Sequence, residues 1–254
     1  MSDDRSIELE VEVAGTPEEV WQAIATGPGI SSWYVPHEVE EADGGAYSAS
    51  FGPGMDVHGT VAAWEPPHRF KLGTDDDGPG LAFEWLIEAQ AGGTCIVRLV
   101  NTGFGTGEDW DDMFDGMSEG WPIFLENLRL HCQHFGGQAG SAAIPLGIWD
   151  LPPTESWQHL TQNLGINPSP TIGDSLTVSS PDAPPLSGTV TQVTSNRISL
   201  LIDSPAPGTA FIAAEGQRST ATVSIWLYLY GHGAATIASD HQTRWSDWFA
   251  TIAP

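Results

Sequence analysis

The sequence predicts an α+β fold, antiparallel strands closed by a long helix, arranged as two tandem copies of one unit. Three observations predict it. A segment near the N-terminus alternates apolar and acidic residues with period two, as a strand with one wet face does. A long segment from Asp109 keeps its apolar residues on one helical stripe. The landmarks of the first half then return in the same order in the second.

The first strand is read from Ile7, Leu9, Val11 and Val13, which alternate with Glu8, Glu10 and Glu12. A helix follows in "TPEEVWQAI", Thr16 to Ile24. Thr16 is a good N-cap, Pro17 suits the first helical position, and Glu19 stands where a capping-box carboxylate reaches back to the cap. Val20, Trp21 and Ile24 share one face, and the helix is expected to stop at Gly27-Pro28-Gly29. Strands are then expected in "VHGTVAAW", "HRFKLGT", "LAFEWLIEA" and "TCIVRLVNT", separated by Pro-Pro, Asp-Gly and Gly-Gly turns. In the third of these, Leu81, Phe83, Trp85 and Ile87 face one way and Glu84 and Glu88 the other. From Asp109 to about Cys132, Phe114, Met117, Trp121, Phe124, Leu125, Leu128 and Cys132 form one stripe of a helix roughly 36 Å long. Gly120 and Pro122 flank Trp121 and predict a bend there.

The second half repeats this order. "PPTESWQHLTQNLG" offers Thr154 as cap, Trp157, Leu160 and Leu164 on one face, and Gly165 as stop. Gly44-Gly45 is matched by Gly173, "GTV" at Gly59 by "GTV" at Gly188, and "HRFKL" by "NRISL". "TCIVRLV" is matched by "ATVSIWL", and each half ends in a Trp-bearing helix. The spacing shrinks from 136 residues between Trp21 and Trp157 to 124 between Trp121 and Trp245, as shorter loops would produce. The expected division is a first domain over residues 1–135, a small-residue linker over 136–143 within "FGGQAGSAA", and a second domain over 144–254.

Composition sets the broad class. An apolar content of 40% with 11 Trp in 254 residues excludes general disorder and suits two real cores. No run reaches the roughly 18 apolar residues of a membrane span, and "MSDDRSIELE" is acidic, so a cytoplasmic protein is expected. Cys95 and Cys132 read as reduced core thiols. Eight basic residues against 33 acidic ones leave a formal charge of −25, which repels nucleic acid and anionic membrane. "TDDDG" at Thr74 and "EDWDD" at Glu108 lack calcium-loop spacing and read as a turn and a helix N-terminus.

"TPEEVWQAIATGPGISSWYVP", "GGAYSASFG", "HGTVAAWEPPHRFKL", "TGFG" and "EGWPIFLENL" together resemble the START-like, or SRPBCC, superfamily, in its AHSA-type branch, named for the activator of the heat-shock chaperone ATPase. The resemblance covers Ile7 to about Phe135, with Trp33 and Gly120-Trp121 carrying most of it. The second half resembles it faintly: Ile166 stands near the place of Trp33, and the closing helix with Trp245, Trp248, Phe249 and Ile252 is shorter. It is read as a degenerate second copy. The resemblance implies a helix-grip fold, an antiparallel sheet wrapped around a long C-terminal helix, often with an apolar cavity between them.

The scaffold hosts many functions, so the site has to be read from residues. Trp33, Phe51, Phe70, Phe83, Trp85, Phe114, Met117, Trp121 and Phe124 are expected to wall a cavity for an apolar or aromatic small molecule. The alternative is a protein-interaction domain of the chaperone-activator kind, with a protein partner; a polyketide cyclase/aromatase-like enzyme ranks third. No catalytic residue, metal site or cofactor is assigned. His58 and Glu84 point away from the apolar face by strand parity, no nucleophile elbow or Cys-x-x-Cys pair is present, "GFGTG" lacks the P-loop Lys, and "HCQH" at His131 to His134 reads as a frayed helix end.

Overall fold

The computed structural model describes residues 5–52, 54–74 and 80–254, and these divide into two compact units, one up to Ala139 and one from Gly140. Most of the Thr74–Gly78 turn falls outside the described residues. No described helix is long and apolar enough to cross a membrane.

The first unit opens with strand β1 (Ile7–Ala14), then helices α1 (Pro17–Ala25) and α2 (Gly27–Ile30). Strands β2 (His37–Val39), β3 (Ala46–Ser50), β4 (Asp56–Glu65), β5 (Arg69–Thr74), β6 (Ala82–Gln90) and β7 (Thr94–Thr102) follow, then helix α3 (Glu108–His134). All seven strands form one antiparallel sheet in the order β1-β7-β6-β5-β4-β3-β2. Consecutive strands form a meander, and β1 closes it by pairing with the last strand. Register carries one apolar face across the sheet: Leu9 opposes Leu99, Leu99 opposes Trp85, and Trp85 opposes Phe70. The long α3 packs over β1 and α1, as a helix-grip fold requires.

The capping box at Thr16 is formed: its hydroxyl accepts from the Glu19 N–H and the Glu19 carboxylate accepts from the Thr16 N–H at 2.8 Å. Helix α1 stops at Ala25, just before Gly27-Pro28-Gly29 as expected, and a new short helix starts there. Thr26 caps it, its hydroxyl accepting from the Gly29 N–H at 3.1 Å, so the chain turns once more before it leaves. In α3 the first turn is acidic, with Glu108, Asp109 and Asp111 at the favourable end of the helix dipole. His131 near its other end is buried at 2% exposure, so "HCQH" is not a frayed end. Cys95 and Cys132 are free thiols, and burial pushes both up, Cys132 to about 12.

The second unit runs β8 (Ser141–Ala143), β9 (Leu146–Trp149), α4 (Pro153–Leu164), β10 (Ser175–Thr177), β11 (Ser187–Val193), β12 (Arg197–Ser204), β13 (Gly208–Gln217), β14 (Thr220–Leu229) and α5 (Ala234–Ile252). Its sheet order is β10-β11-β12-β13-β14-β8, with β9 also on β14. Its opening strand also pairs with its last, and the strands between meander. Two sequence expectations are corrected. Ser141–Ala143, read as linker, is strand β8, because its backbone pairs with Leu227–Leu229. Thr154 is not the cap of α4: the Pro152 carbonyl accepts from the Ser156 N–H at 2.9 Å, so the helix starts at Pro153 with no side-chain cap. Gly165 ends it in the left-handed region at φ 64°, as expected. Trp157, Leu160, Ile198, Leu200, Ile225, Trp245 and Phe249 fill the core of this unit, and Ile166 packs against it.

Both units carry the same backbone irregularity at "GTV". In the first, the Gly44 N–H donates to the Val61 carbonyl at 2.9 Å, the Val61 N–H donates to the Gly45 carbonyl at 2.7 Å, and the β4–β5 register slips just after Val61. In the second, Gly173 donates to Val190 and Val190 to Asp174, each at 2.9 Å, and the β11–β12 register slips just after Val190. Each slip is a bulge, which bends its strand.

Candidate functional site

The apolar face of the first sheet does not meet α3 flush along its length. From Trp121 onward, Trp121, Ile123, Leu125, Leu128 and Leu130 are buried, whereas Met113 is 41% exposed. Between the N-terminal half of α3 and strands β3 to β6 lies a cavity of about 230 Å³. Phe83 and Trp85 of β6, Leu72 of β5, Val57 of β4 and Tyr47 and Ala49 of β3 form its sheet side; Met113, Met117 and Trp121 of α3 face them. The remaining side is closed by Ile30 at the end of α2, Tyr34 in the segment after it, His37 of β2 and Phe51 just after β3.

Aromatic rings set the shape of this cavity. Trp121 lies edge-on to Trp85 at 5.6 Å and to Phe83 at 5.8 Å between centroids, and tilted against Tyr34 at 5.0 Å. Tyr34 in turn meets Phe51 at 5.9 Å and Phe124 at 4.5 Å. The Tyr47 ring lies over Gly59 of β4, where a Cβ would come within 2.6 Å of its Cε1 and 2.0 Å of the Gly73 carbonyl oxygen. Only glycine leaves that space, which is why the first "GTV" begins as it does.

Of the nine residues expected to wall a cavity, Phe51, Phe83, Trp85, Met117 and Trp121 line this one; the other four are elsewhere. Trp33 is fully buried beneath it, edge-on to Trp85 at 5.6 Å, with its indole N–H donating to the Ala23 carbonyl at 2.8 Å. Phe70 shares the sheet face but sits among Trp21 and Trp64, at the α1 end. Phe114 packs on Phe104 under the Arg5 guanidinium, although its neighbour Met113 lines the cavity. Phe124 sits behind Tyr34 and Trp121 rather than on the cavity surface. His58 and Glu84 are on the opposite face of the sheet: His58 borders a groove with Glu38 and Glu40, and Glu84 accepts from Arg69 Nε at 2.5 Å.

The polar members of the cavity were not read from the sequence. The His37 Nδ1 lies 2.7 Å from the Val35 carbonyl, and burial lowers the imidazole to about 4 against the raising pull of that bond. Burial first, and Tyr47 second, push the Tyr34 phenol above its ordinary range. Neither the Tyr34 hydroxyl nor His37 Nε2 has a hydrogen-bond partner among the described residues. Among the described residues, no Lys, Arg, Asp or Glu lines the cavity.

Residues 14–132 match the family model described as "Activator of Hsp90 ATPase homolog 1-like protein", AHSA1. The first unit is a domain of that family. The match runs from the end of β1 nearly to the end of α3, so the AHSA1-type domain includes the whole cavity lining. The chain is similar to a Mesorhizobium loti protein of solved structure, at 21% identity over 52% of this chain and 98% of that one, with a TM-score of 0.46. It is similar to Aha1 of Colwellia psychrerythraea at 18% identity over 51% and 97%, with a TM-score of 0.44. The di-domain ARO/CYC BexL of the BE-7585A biosynthetic pathway is similar along both units of this chain, at 12% identity over 96% and 98%, with a TM-score of 0.47. No curated protein matches the chain.

Proposed function

We propose that the AHSA1-type domain binds a small apolar or aromatic molecule in the cavity between its sheet and α3. The observation that carries this reading is the lining itself: Tyr34, Tyr47, Phe51, Phe83, Trp85 and Trp121 around about 230 Å³, with no Lys, Arg, Asp or Glu among the described residues that line it. Small-molecule sites are concave and mostly apolar, with few polar groups, and this cavity has that chemistry at a volume just below the usual range of about 300–1,000 Å³. A core that merely packed would close over such a space, because unfilled apolar volume costs about 24 cal/mol per Å³ in core truncations. The alternative, a protein-interaction domain of the chaperone-activator kind, rests on the family description alone.

The test is organic extraction and mass spectrometry of protein from its native host, followed by calorimetry of the emptied protein with small aromatic hydrocarbons. A stoichiometric aromatic compound, displaced when Phe83→Trp fills the space, is the expected result. Protein that retains nothing and binds none of the hydrocarbons overturns the reading in favour of a protein partner.

We infer further that the second unit is a shortened copy of the first. The shared order of strands and the paired bulges at Val61 and Val190 support it. Its core is filled by Trp245, Trp248 and Phe249 on α5, so we assign ligand binding to the first unit only. The expected behaviour is that loss of the cavity by Phe83→Trp abolishes all aromatic binding by the full chain; residual binding of the same stoichiometry would assign a site to the second unit.

A further inference from the structure

The polar groups of the cavity go further than its apolar walls, because they specify which ring it accepts. His37 opens β2, and register places it opposite Ala49, which opposes Val57 in turn; all three line the cavity in one row across the sheet edge. Its backbone is held too, since the His37 N–H donates to the Ser31 hydroxyl at 2.8 Å. The tautomer follows from its partner. A carbonyl only accepts, so at 2.7 Å from the Val35 oxygen Nδ1 must carry the hydrogen and donate. In the neutral ring the other nitrogen, Nε2, is then a bare acceptor.

Tyr34 stands beside it, with ring centroids 5.5 Å apart, and its hydroxyl has no hydrogen-bond partner among the described residues. One end of an aromatic cavity therefore offers an imidazole acceptor and a phenol hydroxyl, and a plain hydrocarbon leaves both unused. An anion is disfavoured, because no Lys or Arg among the described residues lines the cavity and the bare nitrogen repels negative charge. A cation would be enclosed without a counter-charge, at the cost of its hydration.

We propose that the ligand is an uncharged flat ring bearing a hydroxyl group, whose O–H donates to His37 Nε2 while its oxygen stays within reach of the Tyr34 hydroxyl. This deepens the binding reading above and rests on it. His37 is then the residue that sets specificity, and the aromatic walls supply affinity that does not distinguish ring from ring. A hydrogen bond to a neutral acceptor contributes about 0.5–1.5 kcal/mol net, so the selectivity is modest and measurable, on the order of fivefold.

The experiment is calorimetry of the full chain at pH 7 with naphthalene, 2-naphthol, 2-methoxynaphthalene and 2-naphthoate. Expected is 2-naphthol about fivefold tighter than naphthalene and 2-methoxynaphthalene, and 2-naphthoate at least tenfold weaker than 2-naphthol. In His37→Phe the ratio of naphthol to naphthalene falls to about one, and in His37→Gln, whose amide oxygen still accepts, it is partly kept. Equal binding of naphthol and naphthalene by the unaltered chain overturns the hydroxyl assignment and leaves the cavity reading standing. A ratio unchanged in a folded His37→Phe protein also overturns it. If His37→Phe does not fold, the unaltered chain and His37→Gln decide. Failure of all four compounds to bind overturns the cavity reading and this one together; tetramethylammonium binding more tightly than 2-naphthol overturns the choice of an uncharged ligand.

Discussion

The Asn127 side-chain amide donates a hydrogen bond of 2.7 Å to the Trp33 carbonyl, joining α3 to the segment after α2 across 94 residues of sequence, with both residues fully buried. Tyr34 is the next residue and His37 follows three later, so this bond holds the polar end of the cavity against the helix. Asn127→Ala leaves a buried carbonyl without that donor and should cost about 1–3 kcal/mol in urea denaturation. The same variant should bind aromatic compounds more weakly than its stability loss alone implies at low temperature. A loss below about 0.5 kcal/mol with unchanged affinity would mean that the segment is held by its aromatic contacts instead.

Trp121 touches Tyr34, Phe83 and Trp85 at once. Trp121→Ala should therefore cost roughly 3–5 kcal/mol, as truncation of large buried aromatics does. Trp121→Phe should cost less and widen the cavity, and it is the variant in which a change of affinity is interpretable. Equal stability of both variants would place Trp121 outside the packed wall.

Stability should fall as the pH drops from about 6.5 towards 4. Burial lowers His37 and His131 from 6.5 to about 4 each, so between those values the unfolded chain takes up protons that the native one refuses. Unfolding free energy rises with pH wherever the unfolded state binds more protons, so the contribution is complete above 6.5 and is lost towards 4. Together the two should remove a few kcal/mol across that window. His131→Gln should flatten the profile in thermal melts; an identical profile would assign the acid sensitivity to other groups.

Added salt should raise the melting temperature. Arg5, Arg69, Arg98, Arg129, Arg197 and Arg244 are already in ion pairs, so most of the cationic charge is committed while the formal net charge stays at −25. About 0.15 M salt shortens the repulsion among the remaining acidic groups to roughly 8 Å. Melts in increasing sodium chloride should shift upward, and binding to DNA or anionic vesicles should be absent at moderate salt. A falling midpoint would mean that the surface pairs outweigh the repulsion.

The sheet face and the long helix were legible because they depend on period alone: Phe83, Trp85 and Ile87 share a face in any β6, whatever they touch. The Thr16 box was legible because cap and carboxylate are three residues apart. Period does not say how far along a face the helix makes contact. Phe70 and Leu72 point the same way, yet only Leu72 reaches the cavity; Phe114 is on the stripe but packs on Phe104 instead. Tyr34 and His37 were invisible for a different reason. They are brought in by a four-residue helix hung on the Thr26 hydroxyl and by a three-residue strand, elements too short to leave a pattern.

The paired bulges at Val61 and Val190 separate shape from contents. A single extra residue, anchored by a glycine N–H on the neighbouring turn, bends its strand without help from any side chain. The hollow of such a sheet is thus written in the main chain, and whatever occupies it is written elsewhere. Substitutions on the concave side are free to turn a receptacle into a solid core without disturbing the curve, and the reverse change is as open. A chain with two such curves draws the same outline twice in its main chain and leaves each filling to its side chains.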